Sequence, residues 1–193
     1  MGSRTRDLPP RTGIAHIIRE LRYSEAGRQY IGLLLMPVFA LLGDPESRSF
    51  LPGLLLACSG LLVRLYASGY IVKNQELATT GPYSVVRHPL YLGNLLLLAG
   101  FGVMSDRWWA LPVAVLFWLF YYPPAIEYED RKLRRIFGPA CAEWQRRTPA
   151  VLPSCLLPKR DGQWSLRTSM RRNAEPLVIA YSVAWLTWLF IEL

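Results

Sequence analysis

Histidine is scarce in this sequence: His16 and His88 are the only two among 193 residues. The three cysteines, Cys58, Cys141 and Cys155, are scattered along the chain and show no paired spacing. A structural zinc site needs about four nitrogen or sulfur ligands held close together. We therefore expect no metal among the partners of this protein.

Other familiar signatures are also missing. No glycine-rich phosphate-binding loop or dinucleotide fingerprint follows a predicted strand, which argues against a soluble nucleotide-binding fold. The N-terminal sequence MGSRTRDLPPRTG has no early apolar core, so we expect no secretory signal. Acidic residues are few, with 14 Asp and Glu against 22 Lys and Arg and a net charge of +8. The positions of these charges favour a membrane explanation, and we expect no nucleic-acid partner.

Long apolar runs are what the sequence has in abundance. Hydrophobic residues make up 52% of the chain, too many for an ordinary soluble domain of this length. Five runs are nearly free of charge: Tyr30–Gly43, Phe50–Tyr70, Leu90–Ser105, Trp108–Ile126 and Pro176–Leu193. A helix crosses a bilayer with about 20 apolar residues. We predict an all-α bundle of about five transmembrane helices. The first run is short and contains Pro37, so it either recruits residues from Ala26 onward or forms half of a tilted hairpin.

The basic residues predict the orientation of this bundle. If all five runs span, 19 Lys and Arg lie on one side and only Arg48 and Arg107 on the other. Positive residues favour the cytoplasmic side. We expect an inner-membrane protein with a cytoplasmic N-terminus and a non-cytoplasmic C-terminus, whose basic face attracts anionic lipid headgroups. Arg64 falls inside the second run and either snorkels to the cytoplasmic side or faces an anionic group in a pocket.

Three regions follow from this pattern. Residues 1–28 form a cytoplasmic N-terminal region, in which IAHIIRELRY has the helical apolar spacing of an interfacial amphipathic helix. Residues 29–153 form the membrane core. Residues 154–193 form a basic cytoplasmic segment followed by a C-terminal transmembrane helix.

The stretch GPYSVVRHPLYLGN places an arginine and a histidine at the entrance to the third apolar run. Pro89 suits the first position of a helix, where backbone N–H groups lack partners and carry partial positive charge. His88 and Tyr91 are three residues apart and share one helix face. With Arg87 they form a polar cluster at the cytoplasmic rim. The simpler alternative is interfacial anchoring, since all three residue types favour the headgroup zone.

The stretch YYPPAIEYEDRKLRRIFGPACAEWQRRTPAVLP follows the fourth run. Pro123-Pro124 predicts a break or kink, after which the helix resumes over residues 125–137 and stops at Gly138-Pro139. On that helix two acids, Glu129 and Asp130, flank an apolar stripe. An inward carboxylate is costly without a positive partner. That partner is either a local arginine or a cationic ligand.

These two motifs resemble the isoprenylcysteine carboxyl methyltransferase and phospholipid methyltransferase family over residues 71–153. The family pattern is G-P-Y-x-x-x-R-H-P-x-Y-x-G, followed by E-E-x-x-L-x-x-x-F-G-x-x-Y-x-x-Y-x-x-x-V-P-x-x-x-P. The matching residues are Gly81, Pro82, Tyr83, Arg87, His88, Pro89, Tyr91, Gly93, Glu129, Leu133, Phe137, Gly138, Pro149 and Pro153. The departures are Asp130 for the second Glu, Cys141 and Trp144 for two tyrosines, and Thr148 for Val. The fifth apolar run is a further departure, because many relatives end before it.

The resemblance implies an integral membrane enzyme that transfers a methyl group from S-adenosylmethionine. Its cofactor pocket would lie at the cytoplasmic ends of the membrane helices, and a lipid-like acceptor would enter from the bilayer. Carried over by position, the cofactor-binding residues are Tyr83, Arg87, His88, Tyr91, Gly93, Glu129, Asp130 and Leu133. The resemblance assigns the catalytic roles to Arg87 and Glu129.

The residue chemistry agrees with this assignment. Glu129 and Asp130 suit the cofactor's ammonium, whereas Arg87, His88 or the helix-start N–H groups suit its carboxylate. Tyr91 suits the sulfonium or the adenine. An isoprenylated cysteine, a phosphatidylethanolamine-type amine and another small lipid-like thiol or acid all remain open as acceptors. Two other classes also remain open. One is a non-enzymatic anchor or assembly factor. The other is a sterol-reductase-like enzyme, although such enzymes generally have more helices than 193 residues can hold.

Overall fold

The computed structural model describes residues 4–71, 75–153, 158, 162–172 and 175–193. Lys73 and Cys155, which enter the charge and cysteine arguments, lie outside these residues. The described chain contains seven α-helices, one short 3₁₀ helix and no β-strand. The helices are α1 Gly13–Tyr23, α2 Glu25–Leu41, α3 Ser47–Ser68, the 3₁₀ helix Pro82–Ser84, α4 Pro89–Met104, α5 Ala110–Arg147, α6 Leu166–Arg172 and α7 Glu175–Ile191. The predicted all-α class is confirmed for this part of the chain.

The apolar runs become helices at the predicted places. Helix α2 begins at Glu25, so the first run does recruit residues from Ala26 onward, and Pro37 lies inside it without ending it. Ser24 caps this helix, because its hydroxyl accepts a hydrogen bond of 3.0 Å from the N–H of Gly27. Helix α4 begins at Pro89, as the sequence predicts.

Helix α5 corrects one prediction. The backbone stays helical through Pro123-Pro124, so of the predicted break or kink the break is absent there, and the kink stays a prediction. Proline's fixed φ is compatible with a helix, and the buried Pro124 and Ala125 hold the segment against the bundle. The predicted stop at Gly138 is confirmed as a local break with φ 57° and ψ −134°. Glycine adopts this left-handed φ without the penalty that a side chain would bring.

Helices α3 and α4 approach each other backbone to backbone. A Cβ atom added to Gly60 would lie 2.6 Å from the carbonyl oxygen of Gly93. One added to Gly100 would lie 2.5 Å from the amide nitrogen of Ala57. Small residues allow this close crossing, as they do between membrane helices. The contact fixes the first turn of α4, which carries the RHPLY motif, relative to α3.

The outer surface of the bundle is apolar. Leu62 on α3 and Leu116 on α5 are each 65% exposed, and Phe190 on α7 is 64% exposed. Within the described residues, α3 and α5 are long and apolar enough to cross a membrane, whereas α4 and α7 are shorter apolar helices. Exposed apolar faces of this extent indicate contact with lipid. The count of five crossings and the orientation stay predictions.

The amphipathic helix predicted near the N-terminus is confirmed as α1. Its apolar side chains face outward, with Ile14 76% and Ile17 59% exposed. The helix is also tied to α5, because the hydroxyl of Tyr23 donates a hydrogen bond of 2.6 Å to Glu127. Its location on a lipid surface stays a prediction.

Candidate active site

The start of α4 carries two stacked rings. His88 occupies the N-cap position, and its imidazole lies 5.4 Å from the ring of Tyr91, with an interplanar angle of 10°. The backbone before the helix is anchored by the end of the second motif. The N–H of Arg87 donates to the carbonyl of Pro149 at 2.8 Å, and that of His88 donates to Ala150 at 2.9 Å. The two sequence motifs therefore meet through their backbones.

Asp130 joins the same two motifs through side chains. It accepts hydrogen bonds from Arg87 at 2.7 Å, from His88 Nε2 at 3.0 Å and from Gln145 at 3.2 Å. Only 10% of its side chain is exposed. Burial acts to raise the pKa of Asp130, but the hydrogen bond and charge of His88 and those of Arg87 outweigh it, so the pKa is lowered. Asp130 is thus a buried, ionised carboxylate that already accepts hydrogen bonds from three side chains.

Arg87 also closes the end of α5. One guanidinium nitrogen donates to the carbonyl oxygens of Gln145 and Thr148, at 2.8 Å each. Terminal helix carbonyls lack intrahelical partners and carry partial negative charge, so a cation stabilises them. The arginine therefore holds Asp130 and the C-terminus of α5 at once.

Glu129 is placed differently from its neighbour. The hydroxyl of Tyr91 donates to it at 2.8 Å, and Nδ1 of His88 lies 3.7 Å away. Its side chain is 45% exposed. Burial acts to raise the pKa of Glu129, but His88 and the Tyr91 hydroxyl outweigh it and lower the pKa. Glu129 is therefore an oriented carboxylate with an accessible side.

His88 lies between the two acids with only 4% of its side chain exposed. Burial acts to lower its pKa, but the hydrogen bond to Asp130 and the negative charges of Glu129 and Asp130 outweigh that effect and raise the pKa. His88 therefore keeps its proton to a higher pH than a free imidazole does. A compact ion network at the start of α4 consists of His88, Asp130 and Arg87.

An aromatic wall extends from this network, and sequence reasoning singled out neither Tyr122 nor Arg28, which both belong to it. Tyr91 meets Tyr122 edge to face, with ring centroids 5.2 Å apart. The guanidinium of Arg28 lies over both rings, 5.0 Å from the centroid of Tyr91 and 5.5 Å from that of Tyr122. Nothing in the local sequence of α2 marks Arg28, which entered only the charge count.

Tyr83 is buried beside the site. Its ring is 6% exposed, and its carbonyl accepts a hydrogen bond of 3.0 Å from the indole of Trp144. Its hydroxyl is buried and has no hydrogen-bond partner within the described residues. Burial raises the pKa of this hydroxyl well above its usual value, and the charges of Glu129 and Glu175 raise it further. A buried hydroxyl without a hydrogen-bond partner, near the partly exposed carboxylate of Glu129, is a group to which a bound ligand can supply the missing hydrogen bond.

The remaining predicted residues contribute indirectly. Leu133 packs with Tyr83 and Trp144 in a small apolar cluster under the site. Gly93 faces α3, where an added Cβ would lie 2.5 Å from Cγ of Arg64. A cleft of about 390 Å³ opens beside Arg87 and is lined by Arg87, Arg134, Ala142, Gln145 and Arg146.

Arg64 faces an anionic group, and that group belongs to the protein itself. Its guanidinium donates two hydrogen bonds to Glu175 on α7, at 2.8 and 3.2 Å, and a third to Asn94 on α4. Sequence reasoning singled out neither Glu175 nor Asn94. Among the described residues, no group of three or more His, Cys, Asp or Glu is arranged to hold a metal ion.

Residues 55–140 match the phospholipid methyltransferase family. Over 123 residues, the chain is 42% identical to the cobalt-zinc-cadmium resistance protein CzcN of Cupriavidus metallidurans. Over the same length, it is 37% identical to the nickel-cobalt-cadmium resistance protein NccN of Alcaligenes xylosoxydans xylosoxydans. Both alignments cover 63% of this chain and 56% of the relative. The protein-S-isoprenylcysteine O-methyltransferase B of Arabidopsis thaliana is 34% identical over 82 residues, covering 42% of this chain and 41% of that protein. No solved structure matches the chain.

The two helices long and apolar enough to cross a membrane, together with the family match, indicate an integral membrane protein. The match of residues 55–140 to the phospholipid methyltransferase family confirms the resemblance carried by the two motifs over that part of the chain, and the likeness to the isoprenylcysteine O-methyltransferase supports it. The chain spans little more than half the length of the two resistance proteins that it matches.

Proposed function

We propose that this protein is an S-adenosylmethionine-dependent methyltransferase of the membrane that methylates a carboxyl or an amine on a lipid or isoprenylated acceptor. One observation carries the proposal. His88 and Asp130, which stand 42 residues apart in the two family motifs, lie in contact, and the adjacent Glu129 keeps an accessible carboxylate.

The residues around Glu129 fit the cofactor. S-adenosylmethionine supplies an electrophilic methyl group on a sulfonium, and it also carries an ammonium and a carboxylate. Glu129 provides the charge for the ammonium, and the Tyr91 and Tyr122 rings provide faces that attract cations. The unpaired hydroxyl of Tyr83 offers a further hydrogen bond at the same place. For the ligand carboxylate, the imidazolium of His88 and the first N–H groups of α4 provide positive charge.

The two adjacent acids have different roles in this proposal. Glu129 meets the ligand, because almost half of its side chain is exposed and only one hydrogen bond of 2.8 Å, from Tyr91, orients it. Asp130 holds the site together, because its carboxylate already accepts bonds from three side chains. Arg87 acts with Asp130 as a brace between α4 and the end of α5. Of the two residues carried over as catalytic, Glu129 is thus the one that contacts the ligand.

For a carboxylate acceptor, the protein has to align the reacting atoms but does not have to accept a proton. Methyl transfer is an in-line displacement, so a site that holds the acceptor atom and the methyl carbon in line accounts for much of the rate. A carboxylate acceptor attacks without losing a proton. An amine acceptor must be neutral when it attacks, so a water or a side chain at the site accepts its proton. The lipid-facing helices allow the acceptor to arrive from the bilayer, with the site open to the cytoplasm.

The direct test uses purified protein in detergent with methyl-radiolabelled S-adenosylmethionine and a total lipid extract. We expect label in one lipid fraction, and mass spectrometry of that fraction identifies the acceptor. Glu129→Gln provides the matched inactive control. A non-enzymatic anchor would neither bind the cofactor nor label any lipid, and that result would remove the proposal.

The names of the two resistance proteins favour a second candidate, a role in resistance to divalent metals. The two candidates are compatible if methylation of a membrane component supports resistance. Cells that depend on this protein for growth in cobalt, zinc or cadmium would then lose resistance with Glu129→Gln. Full resistance with this variant would separate the metal role from the proposed chemistry.

A further inference from the structure

The C-terminal helix is fastened to the membrane core by a buried ion pair. Glu175, the first residue of α7, is 1% exposed and receives two hydrogen bonds from Arg64 of α3. Arg64 has 11% of its side chain exposed. Both groups therefore lie away from solvent, and α7 lies outside residues 55–140, the part that matches the family.

From this ion pair a continuous set of side-chain contacts leads to the site. Arg64 donates its third hydrogen bond to the amide oxygen of Asn94, on the second turn of α4. The amide of Asn94 lies next to the hydroxyl of Tyr122 on α5, and Asn94 also stands one turn after Tyr91 on the same face of α4. The ring of Tyr122, which is 4% exposed, packs edge to face against Tyr91.

The last contact reaches the ligand-facing acid. The hydroxyl of Tyr91 donates to Glu129 at 2.8 Å, and its ring stacks on His88. Apart from the close approach of Asn94 to Tyr122, every step of this set is either a hydrogen bond or a direct ring contact. Helices α7, α3, α4 and α5 contribute to it in turn.

A buried ion pair is poor evidence for stability alone, because apolar residues of the same size often stabilise a fold as well or better. Such a pair does fix geometry, since the bidentate arginine accepts few arrangements of its partners. Here the fixed geometry is that of Asn94, which in turn touches the aromatic wall of the site.

We propose that Glu175 is a positioning residue of the methyl-transfer site, acting through Arg64, Asn94 and Tyr122 on the pair Tyr91–Glu129. Helix α7 is therefore part of the functional unit rather than an added membrane anchor. This inference rests on the proposed function for its effect on the cofactor, but the contact set itself is open to an independent measurement.

Histidine NMR gives that measurement. The chain has only two histidines, so selective labelling of the full protein in detergent yields one signal from His88 and one from His16 on α1. His88 stacks on Tyr91, which makes its chemical shift a reporter of the far end of the contact set. In Glu175→Gln we expect the His88 signal to move while the His16 signal stays in place. The control Glu192→Gln removes an exposed acid just beyond the same helix and should move neither signal.

Calorimetry with S-adenosylmethionine forms the second arm. We expect Glu175→Gln to weaken binding on the order of 5-fold, as side chains along such networks do. Glu192→Gln should bind like the parent. If the parent itself does not bind, the proposed function fails, and the His88 signal alone decides the coupling. An unmoved His88 signal together with parental affinity would overturn the inference.

A second variant covers the case in which Glu175→Gln does not fold. The double variant Arg64→Met with Glu175→Met leaves no unpaired buried charge and should fold. It removes the hydrogen bond that Arg64 donates to Asn94, so we expect the NMR signal of His88 to move as it does in Glu175→Gln. A folded double variant with the parental His88 signal would contradict the proposal.

Discussion

The imidazole of His88 lies flat against the phenol ring of Tyr91, and each ring holds one of two adjacent acids. His88 bonds to Asp130 at 3.0 Å, and Tyr91 bonds to Glu129 at 2.8 Å. Consecutive residues on a helix point in different directions. The two rings therefore hold the carboxylate of Asp130 inside the protein and leave that of Glu129 accessible. The two acids thus have different environments.

Asp130→Asn should destabilise the fold. The substitution leaves Arg87 and His88 as buried cations without their shared carboxylate, a loss that reaches about 3–5 kcal/mol for buried pairs. Thermal unfolding of the purified protein in detergent measures the effect. The matched control is Glu143→Gln, whose partners Arg146 and Arg147 are 76% and 79% exposed. An exposed pair contributes about 0–1 kcal/mol, so equal effects from both variants would contradict the bracing role.

Stability should fall as the pH rises above about 6.5, the unfolded pKa of His88. The folded-state pKa of His88 is raised, so its contribution is complete below the unfolded pKa of about 6.5 and is lost as the pH rises through the folded value. The pKa of Asp130 is lowered, so its contribution is present above about 3.9 and is lost as the pH falls through the folded value. Thermal midpoints between pH 5 and 9 should show the alkaline loss in the parent and in His16→Gln. The stability of His88→Gln should not fall over this range. A fall in that variant would assign the alkaline loss of stability to another group.

Gly93→Ala should separate α3 from α4. The added Cβ would lie 2.5 Å from Cγ of Arg64 and 2.8 Å from the carbonyl oxygen of Gly60, and the second neighbour is backbone. Overpacking of this kind costs about 1–3 kcal/mol. Thermal unfolding should show a clear loss. Gly138→Ala serves as a contrast, because no atom lies within 4 Å of its added Cβ, although its φ of +57° carries a strain of its own. Parental stability in Gly93→Ala would show that the helices do not meet as closely as described.

The distribution of basic residues predicts the topology. A reporter fused after Leu193 should be non-cytoplasmic, and one inserted near Asp161 should be cytoplasmic, because 19 basic residues lie on one predicted side and 2 on the other. Protease protection in membrane vesicles provides a second readout. Both reporters on one side would rule out the five-crossing arrangement.

The sequence predicted much of the fold because apolar runs and proline positions are local signals. Pro89 marked the start of α4, and Gly138 marked the break in α5. Pro123-Pro124 does not break the helix, because the two prolines remain compatible with helical backbone when the neighbouring side chains are buried in a bundle. Local sequence does not contain that tertiary support.

The candidate site was predictable where the family motifs name its residues, as for His88 and Glu129. The different environments of Glu129 and Asp130 were not, because they depend on which helix face meets the start of α4. Arg28, Asn94 and Glu175 carry no motif. Their positions follow from packing between helices that are distant in sequence, and only the three-dimensional structure brings them together.

Binding of S-adenosylmethionine to Glu129→Gln tests the central claim most directly. If Glu129 holds the cofactor's ammonium, the variant loses a charge-assisted hydrogen bond of about 1.5–3 kcal/mol, which corresponds to an affinity loss of about 10- to 100-fold. The matched control is Glu127→Gln on the same helix, where the acid is 51% exposed and contacts Tyr23 rather than the site. We expect calorimetry to show this loss for Glu129→Gln and parental affinity for Glu127→Gln, with both variants monodisperse in detergent. Parental affinity in Glu129→Gln would contradict the proposed pocket.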